Sequence, residues 1–125
     1  MKPCRQFEIW LADLNPRSGT EAGKVRPVLV VQTDLLNQIP HPSTLICPLT
    51  TSLSHGVGIL RVPIKQGTAD LHQDCEIMID QMSAIDNRRL IRKIGSLPMH
   101  LAAQVRENIL IVLDLALSLP NIFKI

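Results

Sequence analysis

Apolar residues along this chain fall in short runs separated by turn-forming residues, and only the last run has helical length. Phe7 to Leu14 mixes β-formers with apolar residues and stops at Asn15-Pro16. A polar loop from Arg17 to Val25 carries Gly19 and Gly23, and Val28 to Gln32 predicts the next strand. Thr33 to Gln38 predicts one helical turn capped by Thr33 or Asp34. Further strands are expected at Thr44–Leu49, Gly58–Ile64, Glu76–Ile79, Met82–Ile85 and Ile91–Ile94, with Lys65-Gln66-Gly67 and Asp80-Gln81 as turns. Pro98 suits the first turn of a helix, where its missing N–H does no harm. That helix should run to about Leu117 and stop before Pro120.

Short, closely spaced strands without long helices between them imply a mainly β fold, either an antiparallel barrel or a strongly bent sheet. The closing helix is apolar on two sides. Leu101, Val105, Ile109, Val112 and Ala116 mark one face, and Leu110, Leu113 and Leu117 another. Such a helix needs two covers, its own sheet and a second subunit. The 125 residues suit one domain spanning the whole chain.

Composition narrows the function. At 46% hydrophobic the chain can bury a core without staples, but its aromatic rings are Phe7, Trp10 and Phe123 alone. An aromatic platform for stacking single-stranded bases is therefore excluded. With 13 Lys+Arg against 11 Asp+Glu, the chain is too balanced for a polybasic binder, although a local basic patch is compatible with it. The three cysteines form no CxxC pair, which argues for reduced thiols in a cytoplasm and against a disulfide scaffold or zinc site. His41, His55, His72 and His100 share no ligand spacing, so no metal or other cofactor is expected. The N-terminal MKPCRQFEIW has no signal-peptide core, and Ile109 to Leu119 is too short and too interrupted to span a bilayer. A cytoplasmic protein with no membrane partner is expected.

In "GKVRPVLVV", Arg26 stands between a Gly/Lys turn and Pro27, directly before an apolar run. On the residues alone this is either a surface arginine paired with Glu21 or a cation fixed for a purpose. The wider stretch, "EIWLADLNPRSGTEAGKVRPVLVV", followed by "ICPLTTS" and "DQMSAIDNRRLIRKIGSL", resembles the PemK/MazF toxins of type II toxin–antitoxin modules. The blocks come in the family's order and cover nearly the whole chain. The resemblance implies an SH3-like small β-barrel with a C-terminal helix, acting as a homodimer. It implies a metal-independent, sequence-specific endoribonuclease that cuts single-stranded RNA, usually mRNA, and a cognate antitoxin that covers the RNA groove and binds DNA together with the toxin.

RNA is cut without metal when its 2′-OH attacks the adjacent phosphorus. Arg26 then suits the developing charge, because a guanidinium stays charged and grips two phosphoryl oxygens. Thr50, matching the threonine of the family's P-x-T, is a second donor to the phosphate; its bland alternative is a turn cap. Glu21 is the candidate to orient Arg26 or act as base, against the alternative of a solvated loop glutamate. Thr20, Lys24, Thr51, Asp80 and Gln81 are the candidate RNA contacts, with turn chemistry as the alternative for Asp80 and Gln81. Arg88, Arg89, Arg92 and Lys93 form the densest basic cluster, suited to pairing with Asp86, to a dimer contact or to RNA backbone. Two positions depart from the family: Thr20 stands where some members have histidine, and Met78 where some have arginine. General acid–base help is worth about 10²–10⁴-fold in rate, so the proton roles stay unassigned. Competing functions are a CcdB-type gyrase poison without catalysis and a small-barrel RNA binder without activity. The ending Asn-Ile-Phe-Lys-Ile differs from the Trp-Gly-Ile of such poisons.

Overall fold

A computed structural model gives the fold and describes residues 4–16, 19–20, 23–54 and 58–116. Seven strands and two α-helices follow in the order β1 (Glu8–Asp13), β2 (Val25–Val30), α1 (Asp34–Asn37), β3 (Ser43–Thr50), β4 (Arg61–Ile64), β5 (Cys75–Met78), β6 (Ser83–Asp86), β7 (Leu90–Ser96) and α2 (Met99–Val112). Short 3-10 turns lie at Thr68–Asp70, Ile79–Gln81 and Asn87–Arg89. The expected mainly β architecture with a closing helix is the one the chain adopts.

Every strand pairing is antiparallel, in the order β4-β5-β3-β2-β1-β7. β3 holds the sheet together because it is long enough to serve three neighbours. One edge meets β2 through Val28↔Pro48 and Val30↔Ile46. Its other edge is shared: Ser43 to Ile46 pair with β6, and Leu49 and Thr50 pair with β5. Among the described residues β4 and β7 form the two ends of this path and do not pair, so the hydrogen-bonded sheet stays open.

Strand alternation sorts the apolar residues to the two faces. Ile9, Leu29, Cys47, Leu49, Val62, Ile64 and Ile77 form one core, closed by Val105 of α2, with Leu101 and Ile109 packed against it. Trp10, Ala12, Val28, Val30, Ile46, Ile85 and Leu90 form a second core on the opposite face. Buried Asn108 fixes the helix at a point where no apolar contact could: its Nδ2 donates to the carbonyls of Gly58 (3.3 Å) and Ile59 (3.2 Å), and its Oδ1 accepts from Gln104. Arg106 lies over the Phe7 ring at 5.4 Å from its centroid.

Several expected boundaries move. Residues 58–60 form a turn, not the start of a strand, and α2 ends at Val112. Asp114 just beyond has φ 58, the left-handed region that ends a helix. Val112 is exposed and does not join the core face with Leu101, Val105 and Ile109. Leu117 lies outside the described residues. The one-turn helix after β2 is as expected, with the Thr33 side chain accepting from Leu35 N.

Candidate functional site

β2 begins at Val25, so Arg26 lies inside a strand and not at its mouth. Arg26 pairs with Ala12 and Pro27 with Leu11. Pro27 has no N–H to give, and the ladder to β3 starts only past it, at Val28↔Pro48. The same register carried two residues further sets Arg26 opposite Thr50. The Arg26 guanidinium spans this gap in the ladder. Its Nε donates to Gly23 O at 2.8 Å and its Nη1 to Leu49 O at 3.3 Å, so both the turn before β2 and the end of β3 hold it.

Thr50 ends β3, half-buried. Its Oγ1 accepts from Ser52 N at 3.1 Å. The turn-capping role is therefore real, and it consumes an acceptor lone pair while the hydroxyl hydrogen stays available for donation. Across the strand Thr50 pairs with Glu76 of β5. Because Cys75 and Ile77 face the α2 core, alternation sends Glu76 and Met78 to the other face, the one that carries Arg26 and Thr50.

Two polar residues that sequence reading passed over belong to this face. Glu76 is only 6% exposed, and its carboxylate accepts from the backbone N–H and the hydroxyl of Ser54. Arg61 of β4 pairs in register with Met78 and makes a salt bridge to Asp80, their side chains 22% and 33% exposed. A cation thus stands on the neighbouring strand, in register with Met78, the position where some family members carry arginine. The signal for both residues was alternation: Arg61 precedes Val62 and Ile64 of the core, and Glu76 separates Cys75 from Ile77.

Asp80, Gln81 and Thr20 come together in a groove of about 470 Å³ whose lining includes Pro48, Asp86 and Arg89. Thr51, by contrast, lines a separate hollow of about 590 Å³ with Pro27, His72 and Arg92. Lys24 is exposed, with φ 70; its N–H donates to Asn15 Oδ1 at 2.9 Å and its carbonyl accepts from Leu14 N at 2.8 Å, so its backbone anchors the first loop. Glu21 and His55 lie outside the described residues.

The basic cluster is largely used within the fold. Arg88 grips Asp86 with Nε at 3.0 Å and Nη2 at 2.9 Å, and these hydrogen bonds hold the exposed carboxyl down at about 2. Arg89 Nη1 donates to Asp13 O (2.9 Å) and Asn15 O (2.5 Å), tying the end of β1 to the wall of the groove. Lys93 reaches Glu8 Oε2 at 3.0 Å. Burial acts to raise the Glu8 carboxyl, but the hydrogen bonds from Trp10, Lys93 and Arg5 prevail and lower it. Among the described residues no three His, Cys, Asp or Glu side chains converge as a metal cluster would require.

Comparison with known proteins places this geometry. The sequence model of the PemK-like, MazF-like toxin of type II toxin–antitoxin system matches residues 5–113. "Endoribonuclease MazF" of Staphylococcus epidermidis is 31% identical over 117 residues, 94% of this chain and 93% of that protein. "Endoribonuclease EndoA" of Bacillus subtilis (strain 168) is 32% identical over 111 residues, 89% and 95% of the two chains. Among solved structures, the Mycobacterium tuberculosis toxin MazF-mt6 superposes with a TM-score of 0.73 at 25% identity, covering 87% of this chain and 98% of its own. A MazE-MazF structure from Deinococcus radiodurans shares the fold with a TM-score of 0.71 at 20% identity, over 93% and 100%.

Proposed function

This chain belongs to the PemK-like, MazF-like toxins of type II toxin–antitoxin systems, and on that footing we propose that it is an endoribonuclease. It cuts single-stranded RNA, mRNA included, at a short motif by metal-independent 2′-OH attack, and so arrests translation and growth. The observation that carries the reading is the Arg26 guanidinium fixed on the carbonyl of Leu49, the residue before the capped hydroxyl of Thr50, where the β2–β3 ladder stops.

The chemistry follows from those two groups. As the 2′-oxygen bonds to phosphorus, negative charge accumulates on the non-bridging oxygens. Arg26 meets it with a charged fork already held by two carbonyls, and Thr50 adds an O–H donor. Glu21 is the candidate to take the proton from the 2′-OH, and as the P–O5′ bond breaks the leaving 5′-oxygen takes up a proton, from solvent where no side chain supplies it. Asp80 and Gln81 present acceptors and an amide to the bases or ribose in the groove, which Thr20 also lines. Thr51 and Lys24 serve as flanking backbone contacts.

The partners follow from the family and the surface. A cognate antitoxin masks the groove and joins the toxin on DNA. A second copy covers α2, whose Leu110, Val112 and Leu113, with Leu115 beyond, stay exposed. No described helix is long and apolar enough to cross a membrane; an enzyme acting on mRNA works in the cytoplasm.

The test is purified protein with a long single-stranded RNA in EDTA. Discrete fragments with reproducible ends support the proposal. Retarded but intact RNA identifies a binder without activity, and no interaction at all favours a non-catalytic poison.

A further inference from the structure

We infer that Glu76 is a positioning residue for RNA cleavage, acting through Ser54 to set the Thr50 hydroxyl in front of Arg26; the inference rests on the endoribonuclease reading above. Glu76 is a carboxylate at 6% exposure in a strand whose neighbouring side chains, Cys75 and Ile77, are core. A buried charge is costly unless hydrogen bonds hold it. Ser54 supplies such bonds. Ser54 N lies 3.1 Å from Oε1 and 3.2 Å from Oε2, and Ser54 Oγ donates to Oε1 at 2.9 Å.

Ser54 is the fourth residue after Thr50, and Thr50 is the cross-strand partner of Glu76. The chain therefore leaves the sheet at Thr50, turns, and is tied back to the residue beside which it left. Inside this ring Ser52 N–H donates to Thr50 Oγ1 at 3.1 Å. That bond fixes the rotamer of the hydroxyl, and it exists only while the 51–54 segment keeps its path. Glu76 sets that path. A donor held in place before substrate arrives needs no reorganisation in the transition state, and a misplacement of about 1 Å is enough to lose on the order of 10²-fold in rate. The role is one of orientation: Glu76 itself is covered and does not touch RNA.

The experiment is a double-mutant cycle on an oligoribonucleotide carrying a cut site mapped for the wild-type enzyme, in EDTA, with kcat and KM measured separately. Ser54 is exposed, so Ser54→Ala keeps the fold and its N–H while losing one hydrogen bond to a charged group; kcat should fall about tenfold with KM unchanged. Glu76→Gln, which keeps the shape but not the charge, should lose kcat to a similar degree. In the Thr50→Ala background, Ser54→Ala should add nothing, because it acts through a hydroxyl already gone. Wild-type kcat in both single variants overturns the inference. So does full additivity of Ser54→Ala with Thr50→Ala, or a rise in KM alone. RNA left intact by the wild-type enzyme overturns the endoribonuclease reading itself, and this inference with it.

Discussion

Arg26 lies just past the last β2–β3 pair, Val28↔Pro48, and its Nη1 donates at 3.3 Å to the carbonyl of Leu49, the residue before Thr50. Two backbone carbonyls, those of Gly23 and Leu49, take part in holding the cation, one from each strand end.

Removing either group should therefore be severe. Loss of one preorganised donor typically costs about 10²–10³ in kcat. Arg26→Ala should nearly abolish cleavage and cell toxicity, and Thr50→Ala should do so less severely, since a neutral hydroxyl contributes less than a cation. The double variant should be little worse than Arg26→Ala. Arg26→Lys keeps the charge and loses the fork; full activity there would show that Arg26 only attracts RNA.

The salt bridge between Arg61 and Asp80 should matter to RNA affinity. Arg61→Ala leaves the Asp80 carboxylate without this cation in the lining of the groove, where it would repel an RNA backbone. Affinity should fall roughly fivefold at low salt and less at high salt. Asp80→Asn added to Arg61→Ala should restore part of it. Fluorescence anisotropy with a labelled RNA, in an Arg26→Ala background that prevents cutting, reads both values. A double variant as weak as Arg61→Ala would assign Arg61 a direct contact with RNA.

Leu113 at the end of α2 is 51% exposed and Leu110 38%. Leu110→Glu with Leu113→Lys should convert a dimer into a monomer at micromolar concentration without melting the β core, because neither side chain is part of it. Sedimentation velocity checks this, and a wild-type monomer would refute the dimer outright.

Cys47 is fully buried, and burial pushes its thiol up to about 12. Cys4 and Cys75 are raised too, again through burial. In the unfolded chain a thiol titrates at roughly 8.5. Their contribution to stability is thus fully present below that pH and is lost as pH rises through the folded values. Denaturant midpoints should fall between pH 8 and pH 11, and less so in Cys47→Ala. At neutral pH a thiol reagent should label Cys47 only as fast as the protein opens.

What was legible in the sequence divides along physical lines. β3 and the one-turn helix after β2 were readable because the signals were local: an apolar run, and Thr33 before Asp34. The start of β2 was misplaced because Pro27 reads as a strand breaker, whereas the ladder bonds it cannot make are absent at that point. Val112 was grouped on one face with Leu101, Val105 and Ile109 because periodicity carries no information about where a helix loses its support. Arg26 and Thr50 were singled out through a family pattern, which carries no spatial information of its own. Arg61 and Glu76 could not be found that way. Each is a single polar residue in an apolar strand, and its meaning depends on which strand lies next to it.

Trp10 is the single tryptophan of a chain without tyrosine, it is 7% exposed, and its Nε1 donates to the Glu8 carboxylate at 3.0 Å. Its indole sits in the core beneath the face that bears Arg26 and Thr50. The molecule thus carries one optical reporter, placed under the face that bears Arg26 and Thr50 and away from α2. Emission from that indole will follow the integrity of this half of the protein alone. Near-ultraviolet signals from a partner that contains tyrosine can then be separated from its own.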